Sequence, residues 1–223
     1  MKGKLIVFEG MDASGKKTQL DLLIKKLKKK KDDVEAVDFP RYDSKEGKKI
    51  ASYLKGEIGT LNELNPYEIA RLYAEDRLAC RDLILKWLDQ GKIVISNRYI
   101  ASNKAYQGAK IKDNKERDSF INFIDELEYK KNNMPREDIV LFLYVPLDLS
   151  QKLLKKKGYR DYMKNNEKDI HEENFDYLKE VEKGYLEFSK NNKWHKINCT
   201  KDGEILSPEM ISEKIFSIIK KIL

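Results

Sequence analysis

The chain has 223 residues, 40% of them hydrophobic and 37% charged, enough for one core with an embellishment and a surface dense with ions. No apolar stretch approaches the ~20 residues of a membrane span, the first apolar run of four residues is too short for a signal peptide, and the net charge of +7 comes from lysines scattered along helices rather than from a focused nucleic-acid face. Cys80 and Cys199 are lone thiols without metal-like spacing, which fits a reducing cytosol, so the expectation is a soluble cytoplasmic protein of a single domain over 1–223.

Leu5-Ile6-Val7-Phe8 reads as a short buried strand. It feeds Glu9-Gly10-Met11-Asp12-Ala13-Ser14-Gly15-Lys16-Lys17-Thr18 and then a helix with Leu20, Leu23, Ile24 and Leu27 at helical spacing. Gly10 and Gly15-Lys16 fit the frame G-x-x-x-x-G-K of a phosphate-binding loop. Backbone N–H groups wrap a phosphate only where side chains are small and φ can turn positive. The following helix aims its first N–H groups at the same anion, and Lys16 adds a full charge. The hydroxyl expected directly after Lys16 is replaced by Lys17, with Thr18 one place late. The plain alternative is a glycine-containing strand-to-helix turn with no ligand.

Residues 34–37 form a weak strand ending in Asp38-Phe39-Pro40-Arg41-Tyr42, where Pro40 keeps the preceding residue extended. Ile50, Tyr53 and Leu54 mark a helix over 47–55. Asn65-Pro66-Tyr67-Glu68 supplies a cap, a first-turn proline and an acid, and opens a long helix predicted to run to Gly91. Lys92-Ile93-Val94-Ile95-Ser96 is the next strand and leads into Asn97-Arg98-Tyr99. Helical patterns over 101–109 and 116–129 precede Ile139-Val140-Leu141-Phe142-Leu143-Tyr144-Val145, the clearest strand, because continuous apolar runs mark central parallel strands. A short helix over 147–154 gives way to a basic segment reaching Lys168. Residues 169–188 read as one amphipathic helix, 194–198 as the last strand, and Ser207-Pro208-Glu209 caps a final helix. The alternation predicts an α/β fold with a parallel sheet.

Lysine supplies the generic charge here, so each of the eight arginines is a candidate for a specific oxyanion or base edge. Tyr73 and Arg77 lie four apart on one helix face; they can stack and hydrogen-bond a base, or they can be a core ring beside an ion pair. Arg98 follows the third strand, at the carboxyl end where ligands of open parallel sheets sit. Arg160 lies in the basic segment, where a closing loop can bring a cation onto a phosphoryl group. Asp169 and Glu172 are either helix-start acids favoured by the dipole or ligand-facing groups.

The ordered set Glu9-Gly10-Met11-Asp12-x-x-Gly15-Lys16, Asp38-Phe39-Pro40-Arg41-Tyr42, Tyr73-Ala74-Glu75-Asp76-Arg77, Asn97-Arg98-Tyr99-x-x-Ser102-Asn103-x-x-Tyr106-Gln107-Gly108-Ala109 and Asp169-Ile170-His171-Glu172 resembles the thymidylate kinase family of nucleoside monophosphate kinases, across essentially the whole chain. The resemblance implies a three-layer P-loop kinase fold, with a five-stranded parallel sheet flanked by helices and a small mobile lid at about 155–168. It implies transfer of the ATP γ-phosphoryl group to dTMP with Mg²⁺, in a homodimer, with residues 10–18 around the ATP phosphates. Lys16, Arg98, Arg160 and Asp12 would be catalytic, and Asp12 the metal-side acid near the sugar 3′-hydroxyl. Arg41, Tyr42 and Arg98 would border the acceptor phosphate; Tyr73, usually Phe, would stack on thymine; Arg77 and Asn103 would read the base edge. Tyr106 and His171 would crowd the sugar, with Phe39, Gln107, Asp169 and Glu172 also beside the acceptor nucleotide. Lys17 stands where most members carry Ser or Thr, and Asn97 where the family usually shows Asp. Both changes remove groups that hold Mg²⁺, so the metal would rest mainly on nucleotide phosphates with help from Asp12. The resemblance also leaves room for another acceptor, such as dUMP or a deoxynucleoside, and for a nucleotide-binding protein with impaired catalysis.

Overall fold

In the computed structural model, which describes residues 2–30, 32–156, 170–171 and 174–223 (side chains of 155 and 156 excepted), the apolar runs form a parallel sheet. Its strands are β1 (Lys4–Glu9), β2 (Val34–Asp38), β3 (Ile93–Asn97), β4 (Ile139–Tyr144) and β5 (Trp194–Asn198), in spatial order β2-β3-β1-β4-β5. Period-two alternation sends β1 side chains to two different cores. Ile6 and Phe8 pack with Leu20, Leu23 and Leu27 of helix α1 (Lys16–Lys29) and with Ile211, Ile215 and Ile219 of the last helix. Leu5 and Val7 pack on the opposite face with Ile84, Ile100, Phe120 and Ile124. Coverage on both faces explains why β1, β3 and β4 read as unbroken apolar runs. After β1 the chain turns towards β2, and after β3 it turns towards β4. The adjacent strands β1 and β3 therefore open a crevice at their carboxyl ends, the position where doubly wound sheets bind ligands.

Helix α2 (Lys45–Leu54) is capped by Ser44, whose hydroxyl accepts from the Gly47 N–H, and α3 (Pro66–Leu78) by Asn65, which accepts from Tyr67. The helix expected to continue to Gly91 divides into α3 and α4 (Arg81–Asp89). The reason lies in a distant residue: the Asp76 carbonyl, which would take the Cys80 N–H in an uninterrupted helix, accepts instead from Arg41 Nη2 at 2.9 Å. Cys80 N–H turns to the Arg77 carbonyl at 3.0 Å, a tighter turn that ends the first helix.

Helix α5 (Ile100–Gly108) follows β3, and α6 (Asn114–Asp125) runs into a widened, π-helical turn over Glu126–Lys131. α7 (Leu147–Lys156) leads away from β4. The amphipathic helix expected from 169 begins at α8 (Phe175–Phe188), where the Asn174 side chain accepts from Tyr177 N–H and fixes the start. A feature absent from the sequence reading, the hairpin of β6 (Thr200–Lys201) and β7 (Glu204–Ile205), turns at Asp202-Gly203 with φ of 51° and 81°, before α9 (Pro208–Ile219) closes the fold. The segment expected to be a lid lies outside the described residues from 157 onward. Among the described residues no helix is long and apolar enough to cross a membrane.

Candidate active site

The loop between β1 and α1 has the backbone its glycines announce. Gly10 sits at φ +144°, and a Cβ there would lie 2.6 Å from the Leu143 carbonyl; Gly15, at φ +85°, caps α1. Ala13 is also left-handed, at φ 58°. The Lys16 ammonium is buried and donates to the Gly10 and Met11 carbonyls at 2.9 and 2.8 Å, so its charge is fixed inside the loop. Ser14 is buried with its hydroxyl unpartnered among the described residues. Lys17 is exposed and pairs with Asp21 one helical turn on. Thr18 is exposed and does not line the cleft, whereas Lys17 does.

Arg98, at the end of β3, joins this loop to a polar cluster. Its Nη2 donates to Asp12 Oδ1 at 2.6 Å, and its Nη1 to the Gly10 carbonyl at 3.2 Å and to Ser102 Oγ at 3.1 Å. Tyr106 donates to the other Asp12 oxygen at 3.2 Å. Behind them, the fully buried Glu9 accepts from Tyr99 N–H, from the N–H and hydroxyl of Ser102, and from Tyr185. Burial raises the Glu9 carboxyl above its ordinary range, with Ser102, Arg98, Tyr185 and Tyr99 pulling against it. Arg98 itself adopts φ 62°, a left-handed conformation that a bulky side chain rarely takes.

Beside this cluster opens a pocket that joins apolar rings to a few convergent polar groups. Asp12, Phe39, Tyr42, Tyr73, Arg77 and Arg98 line it, and α5 adds Asn103, Tyr106 and Gln107. The Tyr73 ring meets Tyr53 edge-on at 6.4 Å. Among the described residues, neither amide atom of the fully buried Gln107 has a partner, and Asn103 gives its amide N–H to the Ala70 carbonyl while its oxygen has none. His171 also lines the pocket, its ring 5.3 Å from that of Tyr106 and its Nε2 2.7 Å from the Tyr53 hydroxyl. Arg41 takes a different place. It donates through Nε to Asp76 Oδ1 at 3.0 Å and lines the adjoining cleft with the phosphate loop rather than this pocket. Arg160, Asp169 and Glu172 lie outside the described residues.

Lys110 supports the pocket from behind, donating to the Tyr53 hydroxyl at 2.8 Å, and burial pushes its ammonium down to about 8. Between about 8 and the ordinary 10.5 the unfolded chain holds a proton that the folded chain has lost, so the Lys110 contribution to stability rises with pH across that window. Lys110→Met is expected to flatten this rise. Melting temperatures of both proteins from about pH 7.5 to about pH 10 measure it, and parallel curves would refute it.

Magnesium at a nucleotide takes one or two carboxylates together with phosphates and water. Among the described residues no group of three His, Cys, Asp or Glu side chains forms a cage of its own. The cleft does offer suitable oxygens. Asp38 and Asn97 are register partners on β2 and β3, with Asn97 Nδ2 donating to Asp38 Oδ1 at 2.8 Å, and the buried Asn97 Oδ1 has no protein partner among the described residues. Partial removal from water raises the Asp38 carboxyl, while Asn97 and the charges of Lys17, Arg98 and Lys16 lower it, which places it amid the phosphate-side cations. This donor set fits a phosphate-bound Mg²⁺.

Sequence reasoning passed over four groups that organise the site. Glu9 was visible as a charge closing an apolar run. Ser102 sat inside a motif without a role. Tyr185 lies on the inward face of α8, which reads as core, and Glu128 is an acid at a core position whose partner, Arg77, is 51 residues away.

A family model described as thymidylate kinase matches residues 8–210. The thymidylate kinase of Prochlorococcus marinus (strain NATL2A) is 34% identical over 232 residues, covering 100% of this chain and 99% of that protein, so the likeness is not confined to one motif. The thymidylate kinase of Plasmodium falciparum (isolate 3D7) is 29% identical, covering 95% of this chain and 90% of its own length. Among solved structures, thymidylate kinase from Candida albicans, described as having broad substrate specificity, superposes with a TM-score of 0.75 at 26% identity over 99% of this chain and 92% of that one.

Proposed function

This chain belongs to the thymidylate kinase family, and from that membership we propose that it transfers the γ-phosphoryl group of ATP to dTMP, giving dTDP and ADP. The observation that carries the reading is the buried Gln107 amide, without a partner among the described residues, in a pocket that Arg77 also lines and that adjoins the phosphate loop. Buried polar groups almost always have partners, and a ligand edge that both donates and accepts would satisfy this one. Thymine has such an edge: its N3–H donates to the Gln107 oxygen, while its carbonyls accept from the amide and from the Arg77 guanidinium. Cytosine reverses N3 and the C4 substituent, so it would face Arg77 with a donor.

Phosphoryl transfer asks for positioning and charge neutralisation rather than covalent catalysis. Lys16 and the loop amides hold the donor phosphates, and Arg98 the acceptor phosphate. Asp12, fixed by Arg98 and Tyr106, stands between the two sites. When bound, Mg²⁺ offsets charge on the ATP phosphates, with Asp38 and Asn97 as the protein groups on that side. The acceptor phosphate is itself the nucleophile, so no strong base is needed.

A coupled ADP assay of the purified protein with ATP, Mg²⁺ and a panel of dTMP, dUMP, dCMP and dGMP tests this reading. ADP formation should depend on dTMP and be at least about tenfold slower with dCMP. The broad specificity of the Candida albicans relative makes the panel informative: comparable rates with dUMP or dGMP would move the reading to a wider acceptor class. No ADP above the no-acceptor background would overturn it and leave a nucleotide-binding protein impaired at Lys17 and Asn97.

A further inference from the structure

Helix α6 carries Phe120 and Ile124 on its buried face, and the same face continues to Glu128 in the widened turn. A carboxylate thus stands where the pattern calls for a core side chain, and it is completely buried. Its partner is Arg77, equally buried, which donates to Glu128 Oε1 through Nε at 2.9 Å and also through Nη2. The other oxygen, Oε2, has no partner among the described residues. Removing two charges from water costs more than such a pair commonly returns, and apolar replacements of similar volume are often neutral or stabilising. Fold stability alone is therefore a poor reason for an acid at this position.

We propose that Glu128 is a positioning residue for acceptor-base selectivity, acting through Arg77, which lines the pocket. With Nε–H and one N–H of Nη2 held on one carboxylate oxygen, the guanidinium plane is fixed, and its remaining N–H groups, two on Nη1 and one on Nη2, keep set directions. A guanidinium pinned in this way offers its N–H groups to a carbonyl at one place on the base edge; a loose one can rotate and offer them to a different edge. The widened turn, in which Asn132 N–H reaches the Leu127 carbonyl five residues back at 2.9 Å, presents the carboxylate to Arg77. Glu128 also offsets the Arg77 charge, so the base side of the pocket recognises a neutral ring by hydrogen bonds, and full charge is reserved for the phosphate side at Arg98 and Lys16.

This proposal rests on the base-pocket reading above, and the test separates the two. Titration calorimetry of the intact protein with dTMP and with dCMP gives affinities that do not depend on turnover, and steady-state kinetics give KM for dTMP and for ATP. In Glu128→Gln, dTMP affinity should fall about tenfold or more and dCMP affinity by less than about threefold. The KM for ATP should be unchanged, and Glu128→Asp should recover part of the preference. Adding Glu128→Gln to Arg77→Met should then change the dTMP to dCMP ratio no further, because the acid acts only through the guanidinium. A lowered melting temperature with an unchanged dTMP to dCMP ratio would make Glu128 merely structural and overturn the proposal. If Glu128→Gln does not fold, the pair Arg77→Met and Arg77→Met/Glu128→Met decides, because a difference in base ratio between them means that Glu128 acts other than through Arg77. A wild-type protein that binds neither nucleotide overturns both readings; one that prefers dTMP while Glu128→Gln keeps that preference overturns this one alone.

Discussion

Arg98→Ala is expected to lower kcat/KM for dTMP by about a thousandfold, the scale on which a phosphate-side arginine acts in phosphoryl transfer. The guanidinium bridges the Gly10 carbonyl of the phosphate loop, Asp12 and Ser102, so it sits where the donor and acceptor sides meet. Its loss also leaves Asp12 with less support and the buried Glu9 without its neighbouring charge. Stability should fall by about 1–3 kcal/mol, the cost of leaving buried polar groups without a partner. A second variant separates chemistry from folding. Because Arg98 holds φ 62°, glycine at this position relieves a backbone penalty of about 1 kcal/mol that alanine keeps. Arg98→Gly should therefore be as inactive as Arg98→Ala yet melt at a higher temperature. Steady-state kinetics with thermal denaturation of the three proteins reads both effects, and an Arg98→Ala enzyme within tenfold of wild type would remove Arg98 from the proposed role.

The elements that sequence made legible are those whose cause is local. β1 and β4 show as unbroken apolar runs because both faces of the sheet are covered, and the starts of α3 and α9 show in Asn65-Pro66 and Ser207-Pro208. The break between α3 and α4 has a non-local cause, since it depends on Arg41 reaching the Asp76 carbonyl. The β6–β7 hairpin is not legible, because its two-residue strands are too short to show periodicity, although Asp202-Gly203 suits its two positive φ angles. The site divides in the same way. The phosphate loop and Arg98 announce themselves through spacing along the chain, and the α5 residues through the family resemblance. Glu9, Tyr185 and Glu128 act by meeting side chains far away in sequence, and their own surroundings look like ordinary core. Tyr53 belongs with them, because helical spacing marked it as apolar while its hydroxyl links Lys110 to His171. Lys17 and Asn97 were legible as departures, but the carboxylate beside them was not. Asp38 becomes part of the metal side only when β2 pairs with β3 and brings it to Asn97.

Lys16→Met should lower kcat by about a hundred- to a thousandfold, the range for removing one preorganised electrostatic group. The lysine earns this expectation from its placement. Its ammonium is buried and already anchored to the Gly10 and Met11 carbonyls, so an entering phosphate chain meets a charge that needs no reorganisation. Methionine fills a similar volume but cannot donate to those carbonyls. Gly10 retains Arg98 as a donor, which limits the stability loss to about 1 kcal/mol, or about 2–4 °C in a chain of this size. Lys16→Arg is expected to do no better than methionine, because a planar five-donor fork cannot take the place of a compact ammonium between two carbonyls less than 3 Å away. The effect should fall on the donor side. Single-turnover rates at saturating ATP should drop while dTMP affinity, measured by titration, stays within about twofold of wild type. Equal losses in dTMP affinity and in rate would instead mean that the phosphate loop also shapes the acceptor pocket through Asp12, and that donor and acceptor sites in this chain are not separable.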